Sequence, residues 1–370
     1  MTNHSKLPPS SAARRMTCPG SRELEERFGR KEESEASKEG TLAHEIAAIY
    51  LNGRCVDFSI GHKTLTQEMI DGADFYQRTV SRIFPNVSEL ITDGTFAIEK
   101  KLTMPNIHDE MWGTPDAWGV TEEGALHVFD YKFGFTPVDS YENWQLLAYA
   151  CGVVRHEDLN ITNVYLHIIQ PRDYVSVSRH KVWNLSIAEL ESYRQRLITS
   201  EAQAMTANAP LRVSEQCKYC SARHACPSLQ QAAFGAAEVS YRNVSNELTP
   251  EQVGNELKFL CEAKDVLDYR ISALETEAQH YLQKGKVVNH FELKPVDGRL
   301  SWKINNKEII SIGLLHGVDL RKEATLTPTQ AIEAGVPEEE IAKNAERKVS
   351  LKLSKIDVNQ IKKLFKQKSL

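Results

Sequence analysis

Two short acid-bearing segments constrain this chain more than anything else in it. Gly113-Thr114-Pro115-Asp116 and Phe129-Asp130-Tyr131-Lys132 stand with thirteen residues between their aspartates. The second ends a run from Ala125 that follows a Glu123-Gly124 turn, and the run's β-branched and aromatic residues predict a strand over 125–132. On a strand, Asp130 and Lys132 leave by one face and Tyr131 by the other. Asp116 follows Pro115 beside an extended segment, so the fold must bring two carboxylates and an amine to one part of a sheet.

The surrounding pattern predicts the other layers. Leu42, Ile46 and Ile49 recur on one helical face over 41–52, and Gly53 ends the run. Residues 66–84 predict a second helix. Thr95 to Leu102 alternates as a strand, with Phe96 and Ile98 on one side. Tyr141 to Val153 reads as helix, Asn163 to Gln170 as a strand stopped by Pro171, and Tyr174 to Trp183 as a further strand. Ser186-Ile187-Ala188-Glu189 is a capping box opening a helix to about Ala207. Two helices, two strands, a helix, two strands and a helix make an α/β core with a mixed sheet.

The chain has 370 residues, which argues for two domains, and its 41% apolar content is enough for a core. Residues 1–230 are expected to hold the site and residues 231–370 to form a mainly helical extension. No apolar run reaches the roughly 18 residues of a spanning helix, so no membrane association is expected. Met1 to Ser21 is polar and lacks the apolar stretch of a signal peptide, which makes the cytoplasm the expected compartment. A net charge of −5 says nothing for nucleic-acid binding as a whole. Glu23, Glu25, Glu26, Glu32, Glu33, Glu35 and Glu39 make an acidic stretch. Arg347, Lys348, Lys352, Lys355, Lys362, Lys363, Lys366 and Lys368 make a basic tail, suited either to phosphate contacts or to a solvated helix carrying Val358, Ile361, Leu364 and Phe365.

Residues 229–247 read as a linker. Thr249-Pro250-Glu251-Gln252 then opens a helix that Gly285 closes. Val253, Leu257, Leu260, Lys264, Leu267, Ile271, Leu274, Ala278 and Tyr281 alternate four and three apart, a heptad seam with one lysine in it. Such a seam packs either on a helix of the same chain, the expectation favoured here, or on a second copy through 250–284. Val287 to Lys294 and Arg299 to Ile304 flank Pro295-Val296-Asp297-Gly298 and read as a hairpin.

Phosphodiester cleavage needs an activated water and relief of charge on the phosphate, and bound Mg2+ or Mn2+ supplies both. Mg2+ prefers oxygen ligands and keeps several waters, so the Asp116 and Asp130 carboxylates suffice, with the backbone carbonyl of Tyr131 as a further candidate. Lys132 places a cation where it orients water or stabilises a phosphorane-like transition state. Gln145 and Tyr149, one turn apart on a helix, share a face that can hold the substrate strand, and Tyr141 extends that line. His44 is a further ligand candidate, since imidazole suits Mn2+ better than Mg2+. Each of these also has a plain reading: a turn aspartate, a chance Asp-x-Lys, a surface helix face, a packed histidine. Their order and spacing together favour the metal site.

These segments resemble a known family. Gly113-Thr114-Pro115-Asp116, Asp130-Tyr131-Lys132 and Gln145-Leu146-Leu147-Ala148-Tyr149 are similar to the PD-(D/E)XK nucleases of the RecB type. Cys18-Pro19-Gly20-Ser21 with Glu39-Gly40-Thr41-Leu42-Ala43-His44-Glu45 resembles a branch common in bacteriophages and prophages. The resemblance covers about residues 10–230. It implies a restriction-endonuclease-like α/β core, His44, Asp116 and Asp130 as metal ligands, Lys132 as the catalytic lysine, and Gln145 and Tyr149 as the extra RecB-type motif. The second acid is Asp130 rather than glutamate, a shorter reach that can shift the metal. Glu99 is a further acid that the motif does not clearly cover. The implied activity is a Mg/Mn-dependent deoxyribonuclease, best read as an exonuclease in phage recombination or DNA processing, with DNA and phage recombination or replication proteins as partners.

Seven cysteines include the cluster Cys217, Cys220 and Cys226; Cys55, Cys151 and Cys261 read as core residues. Three thiolates fall one short of a closed site. The resemblance implies Cys18 as the fourth ligand of a [4Fe–4S] cluster clasping both ends of the nuclease domain. Zinc is the alternative, with His224 as a substitute ligand. Two rival functions remain open: a DNA-binding or scaffolding protein on a nuclease fold that has lost a catalytic group, and a zinc-bearing partner protein whose acids are structural. None of the catalytic groups is missing, which disfavours the first.

Overall fold

Strand-forming residues in the middle of the chain build one five-stranded mixed sheet, seen in a computed structural model of the protein. It runs β1 (Phe96–Ile98), β2 (Ala117–Val120), β3 (Ala125–Tyr131), β4 (Asn163–Ile169) and β5 (His180–Ser186), in that spatial order. Only β3 and β4 are parallel; every other pair is antiparallel. The structure describes residues 5–29, 35–54, 65–155, 160–176, 178–239, 247–302, 304, 306–320 and 327–355. It divides into two units, residues 1–270 and 271–370.

The helices of the first unit are α1 (Ala12–Thr17), α2 (Ser21–Phe28), α3 (Glu35–Leu51), α4 (Gln67–Ser81), α5 (Val87–Thr92), α6 (Trp144–Val154), α7 (Ile187–Ala204) and α8 (Pro227–Val239). A helix α9 (Pro250–Gln283) follows. Thr66 caps α4, Asn143 caps α6, and the Ser186–Glu189 box caps α7.

Alternation along β3 sorts its side chains between two cores. Leu126 and Val128 join Leu146, Leu147 and Ala150 of α6 and Leu190 and Leu197 of α7. Phe129 and Tyr131 join Ala43, Ile46 and Ala47 of α3 and Met69, Ala73, Tyr76 and Val80 of α4. The sheet is thus covered by helices on both faces, a mixed α/β architecture. Across the α3/α4 face, His127, His167 and His180 form a hydrogen-bonded row, each link 2.9 Å long.

A ribbon of Leu102–Thr103 with Trp112–Gly113, strand β2 and helix α5 carry no prediction from the sequence; all are too short to show a period. Strand β5 starts at His180 rather than Tyr174, because the Asp173 carboxylate accepts the N–H groups of Val175 and Ser176 and makes a turn there. Helix α6 starts at Trp144 rather than Tyr141, since Asn143 caps it. The expected linker over 229–247 is in part helix α8, which begins on Pro227 and buries Leu229 and Ala233 one turn apart.

In the second unit, β6 (Phe291–Trp302) pairs antiparallel with β7 (Ala345–Lys355). The expected hairpin about Pro295-Val296-Asp297-Gly298 is not formed. That segment continues as one strand with a bulge between Asp297 and Leu300, and in a two-stranded ribbon the missing N–H of Pro295 is tolerated. Helices α10 (Asn306–Leu315), α11 (Pro328–Glu333) and α12 (Glu338–Asn344) accompany it, around Ile309, Leu320, Ala331, Val336 and Ile341. Part of the basic stretch lies in β7, and the helical spacing over 358–365 falls outside the described residues. On α9, Val253, Leu257, Leu260, Ile271 and Leu274 of the seam are exposed among the described residues, while Ala278 is buried. Among the described residues no helix is long and apolar enough to cross a membrane.

Candidate metal centre

The register of the central strands decides which acids meet. Ala117 pairs with Phe129, so Asp116 lies one step beyond that pair, beside Asp130. The Tyr131 backbone N–H donates to Asp116 Oδ2 at 2.6 Å. Helix α3 crosses this end of the sheet and sets His44 Nδ1 3.0 Å from Asp116 Oδ1. Lys132, just past β3, holds Asp130 through both carboxylate oxygens at 3.1 and 2.9 Å, and lies 3.4 Å from Gln145 Oε1 on α6. Tyr149, one turn further along α6, donates its hydroxyl to the Thr114 carbonyl at 3.2 Å. A Cβ on Gly113 would come within 2.9 Å of that hydroxyl, which is why the Gly-Thr-Pro-Asp segment begins with glycine.

Glu99, at the end of β1, completes the cluster. Its N–H donates to the Asp116 carbonyl at 3.1 Å, and its backbone is left-handed at φ 47°. The ligand atoms of His44, Glu99 and Asp116 all lie within 4.8 Å of one another. Asp130 stands beside this trio with its carboxylate turned to Lys132. Among the predicted residues, Asp116, Asp130, Lys132, His44, Gln145 and Tyr149 therefore share one region. The side chain of Tyr131 is buried on the α3/α4 face, where His44 meets its ring edge-on at 5.4 Å. Tyr141 lies off α6, against Trp183.

The electrostatics match a site built for a cation. Loss of hydration and the Asp116 charge push Glu99 up to about 7, with His44 pulling the other way. Burial raises the Asp130 carboxyl against the pull of Lys132, and Asp116 raises it further. Burial would lower Lys132, but Asp130 holds it above the ordinary lysine value, so it carries its charge. For His44, burial is likewise outweighed by Asp116, and the imidazole sits above its usual value. Three clustered carboxylates and one imidazole are a donor set that hard divalent cations fit, with the Lys132 ammonium beside it.

Tyr76 of α4 is 1% exposed, and its hydroxyl has no hydrogen-bond partner among the described residues. Burial, then the charges of Asp116, Asp130 and Glu99, drive its ionisation well above the usual range. It was not predicted; a tyrosine on an apolar helix face gives no signal in one sequence.

A second cluster joins the ends of the first unit. Cys18, Cys217, Cys220 and Cys226 line one small cavity. The N–H of Arg212 donates to Cys18 Sγ at 3.3 Å and that of Ser214 to Cys217 Sγ at 3.4 Å. Burial raises the thiols of Cys18 and Cys217, where neighbouring cysteines add to it, and takes Cys220 up to about 12. Four sulfurs around one cavity, two of them receiving N–H groups, suit a metal-thiolate group. His224 does not line the cavity; its carbonyl accepts from Arg270 at 2.7 Å. Cys151 is buried as expected, Cys261 is exposed, contrary to the core placement expected, and Cys55 lies outside the described residues.

A family model described as "Protein of unknown function (DUF2800)" matches residues 4–350. The chain belongs to this family. Among solved structures, the DUF2800 chain is similar to the crystal structure of an alkaline exonuclease (LHK-Exo) from Laribacter hongkongensis. The identity is 14% and the TM-score 0.22, over 54% of this chain and 90% of that one.

Proposed function

We propose that this DUF2800 protein is a Mg2+- or Mn2+-dependent DNA nuclease, an exonuclease serving phage recombination or DNA processing, with a structural [4Fe–4S] cluster. The observation that carries the reading is the meeting of Asp116, Asp130, Lys132 and His44 at one end of the sheet. His44, Asp116, Asp130 and the Tyr131 carbonyl would hold the divalent metal, which when bound neutralises phosphate charge and acidifies water.

The protein's own groups do the rest. Lys132, kept protonated by Asp130, supplies positive charge where negative charge develops on the phosphoryl oxygens. It does not serve as a base in that state. Gln145 meets the lysine through its amide oxygen and also bonds the Tyr149 side chain, which leaves one amide N–H to donate to a phosphate. Tyr149 fixes the Thr114 carbonyl and so the approach of Asp116. The geometry disfavours the rival of a retired nuclease, because no group of the set is displaced.

For the cysteine site, an iron–sulfur cluster is the reading that the resemblance favours, with zinc as the alternative, and the four cysteines around one cavity supply the thiolates either would need.

Incubation of the full chain with end-labelled linear DNA and with covalently closed circular DNA, plus Mg2+ or Mn2+, tests the activity. Degradation of linear DNA alone is expected. Cleavage of circles would replace the exonuclease reading by an endonuclease one, and intact DNA in both arms would end the nuclease reading.

A further inference from the structure

Three buried polar side chains that take no part in the metal centre all serve two loops beside it. Strands β3 and β4 run parallel, so the chain leaves both at the end of the sheet where Lys132 stands. Gln170, 1% exposed, donates to the Gly134 and Thr136 carbonyls at 2.7 and 2.8 Å and accepts the Val138 N–H at 2.9 Å. Asp173, equally buried, accepts the N–H groups of Val175 and Ser176 and the Lys181 ammonium, which also donates to the Val138 carbonyl. Arg172 pairs with Glu39 and Glu68 and lays its guanidinium 3.8 Å from the centre of the Phe133 ring and 4.6 Å from that of Phe135. Buried polar groups must be bonded, and these direct their bonds to fixing the two loops.

What the fixed loops hold out is aromatic. Among the described phenylalanines, tyrosines and tryptophans, Phe135, Tyr141, Tyr174 and Phe234 are at least 60% exposed, and the first three stand on these loops. Phe135 and Tyr174 are neighbours through Arg172 and Glu68, since the Tyr174 hydroxyl donates to Glu68 at 3.2 Å. The exposed Arg179 guanidinium lies 5.0 Å from the centre of the Tyr174 ring. Exposed rings taken singly are ordinary on a protein surface. A pair pinned by buried ties, with a cation beside it, is a prepared surface: rings already held lose little freedom when a flat group stacks on them. Phe135 is three residues past Lys132, which keeps their Cα atoms within ~11 Å.

We propose that Phe135 and Tyr174, with Arg179, form a stacking platform for the bases of a single DNA strand entering the metal centre. The proposal rests on the nuclease reading and names the form of DNA that the site takes. A base offers its face to a protein ring only when it is unstacked, so the platform serves a single strand or an unpaired end and gains nothing from an intact duplex. Stacking tolerates any base, and Arg179 adds a contact for the backbone phosphates. Phe135 and Tyr174 are positioning residues; neither touches the reacting phosphate.

Fluorescence anisotropy of a fluorescein-labelled single-stranded oligonucleotide, and of the same oligonucleotide annealed to its complement, tests this on the full chain without Mg2+ or Mn2+, so that binding is read without cleavage. Wild type is expected to bind the single strand more tightly than the duplex. Phe135→Leu keeps an apolar cover on Arg172 but has no π face; it should weaken single-strand binding by about tenfold or more, and Tyr174→Leu likewise, with duplex binding unchanged. Phe135→Trp and Tyr174→Phe should stay within a few-fold of wild type. A loss in Tyr174→Phe as large as in Tyr174→Leu would assign the effect to the Glu68 tie and overturn the proposal, as would equal losses on single strand and duplex. Leucine variants that lose no affinity, while wild type degrades linear DNA with Mg2+ or Mn2+, would overturn the platform alone. Wild type that neither binds nor degrades DNA would overturn both readings.

Discussion

Arg15 and Glu201 form a buried two-pronged ion pair across 186 residues of sequence. Their side chains are 2% and 0% exposed, and Arg15 also donates to the Pro8 carbonyl at 3.0 Å. The pair ties α1, which leads directly to Cys18, to α7. Removing one partner strands a charge in the core. Arg15→Ala or Glu201→Ala is expected to cost about 3–5 kcal/mol, whereas the double change Arg15→Met with Glu201→Leu costs far less. Urea unfolding of the three variants checks this; equal losses in singles and double would contradict it.

Among the described residues the Lys132 ammonium meets Asp130 and Gln145, and without it the Asp130 carboxyl, already raised by burial, can take up a proton rather than stand as a bare charge. Lys132→Ala is expected to lower DNA degradation by about 10²–10³-fold, the scale of losing one charge-stabilising donor. The thermal transition should persist. A rate within a few-fold of wild type, measured on end-labelled DNA, would remove Lys132 from the proposed mechanism.

The histidine row makes folding sensitive to acid. Burial lowers His127 to about 4, holds His167 well below its usual value, and lowers His180 with help from Arg82. Each is neutral when folded but protonates in the unfolded chain near pH 6.5. Their contribution is therefore present above about pH 6.5 and declines as pH falls toward 4, at up to ~1.4 kcal/mol per pH unit for each group. His44 acts oppositely: its raised value adds stability below about pH 6.5 that is lost as pH rises through that value. Between pH 6.5 and 5 the raised carboxyls of Glu99 and Asp130 work against the row, so its effect is read as a difference: the urea midpoint of wild type should fall more over this range than that of a variant lacking one of the three. His127→Gln should flatten that slope; an unchanged slope would refute the role of the row.

The thiolate cavity predicts a coloured protein. Purified without oxygen, the chain should carry iron and absorb near ~400 nm, as thiolate-ligated iron does. Cys217→Ser should lose both the iron and the link between residues 18 and 226, and with them solubility. Zinc without iron by metal analysis would decide for the other metal.

Much of the site was legible because it depends on local period and spacing. Alternation alone puts Asp130 and Lys132 on one face of β3, and the structure has them in contact. The capping box at Ser186 and Glu189 is formed as read. Turn chemistry was less transparent. Asp173 delayed β5 by bonding its own backbone, and Pro295-Val296-Asp297-Gly298 passed for a turn although pairing with β7 keeps it extended.

From its order of residues alone, this chain determined the two-sided sheet, the helices that cover it and the face on which the acid–lysine pair stands. The resemblance already implied that Cys18 joins Cys217, Cys220 and Cys226, and the four line one cavity; only the tertiary structure decided that the Glu99 carboxylate stands with His44 and Asp116. The difference is physical. A repeat of two or 3.6 residues is written in neighbouring positions, whereas convergence of distant ones follows from which buried surfaces pack, and one sequence carries no local mark of that.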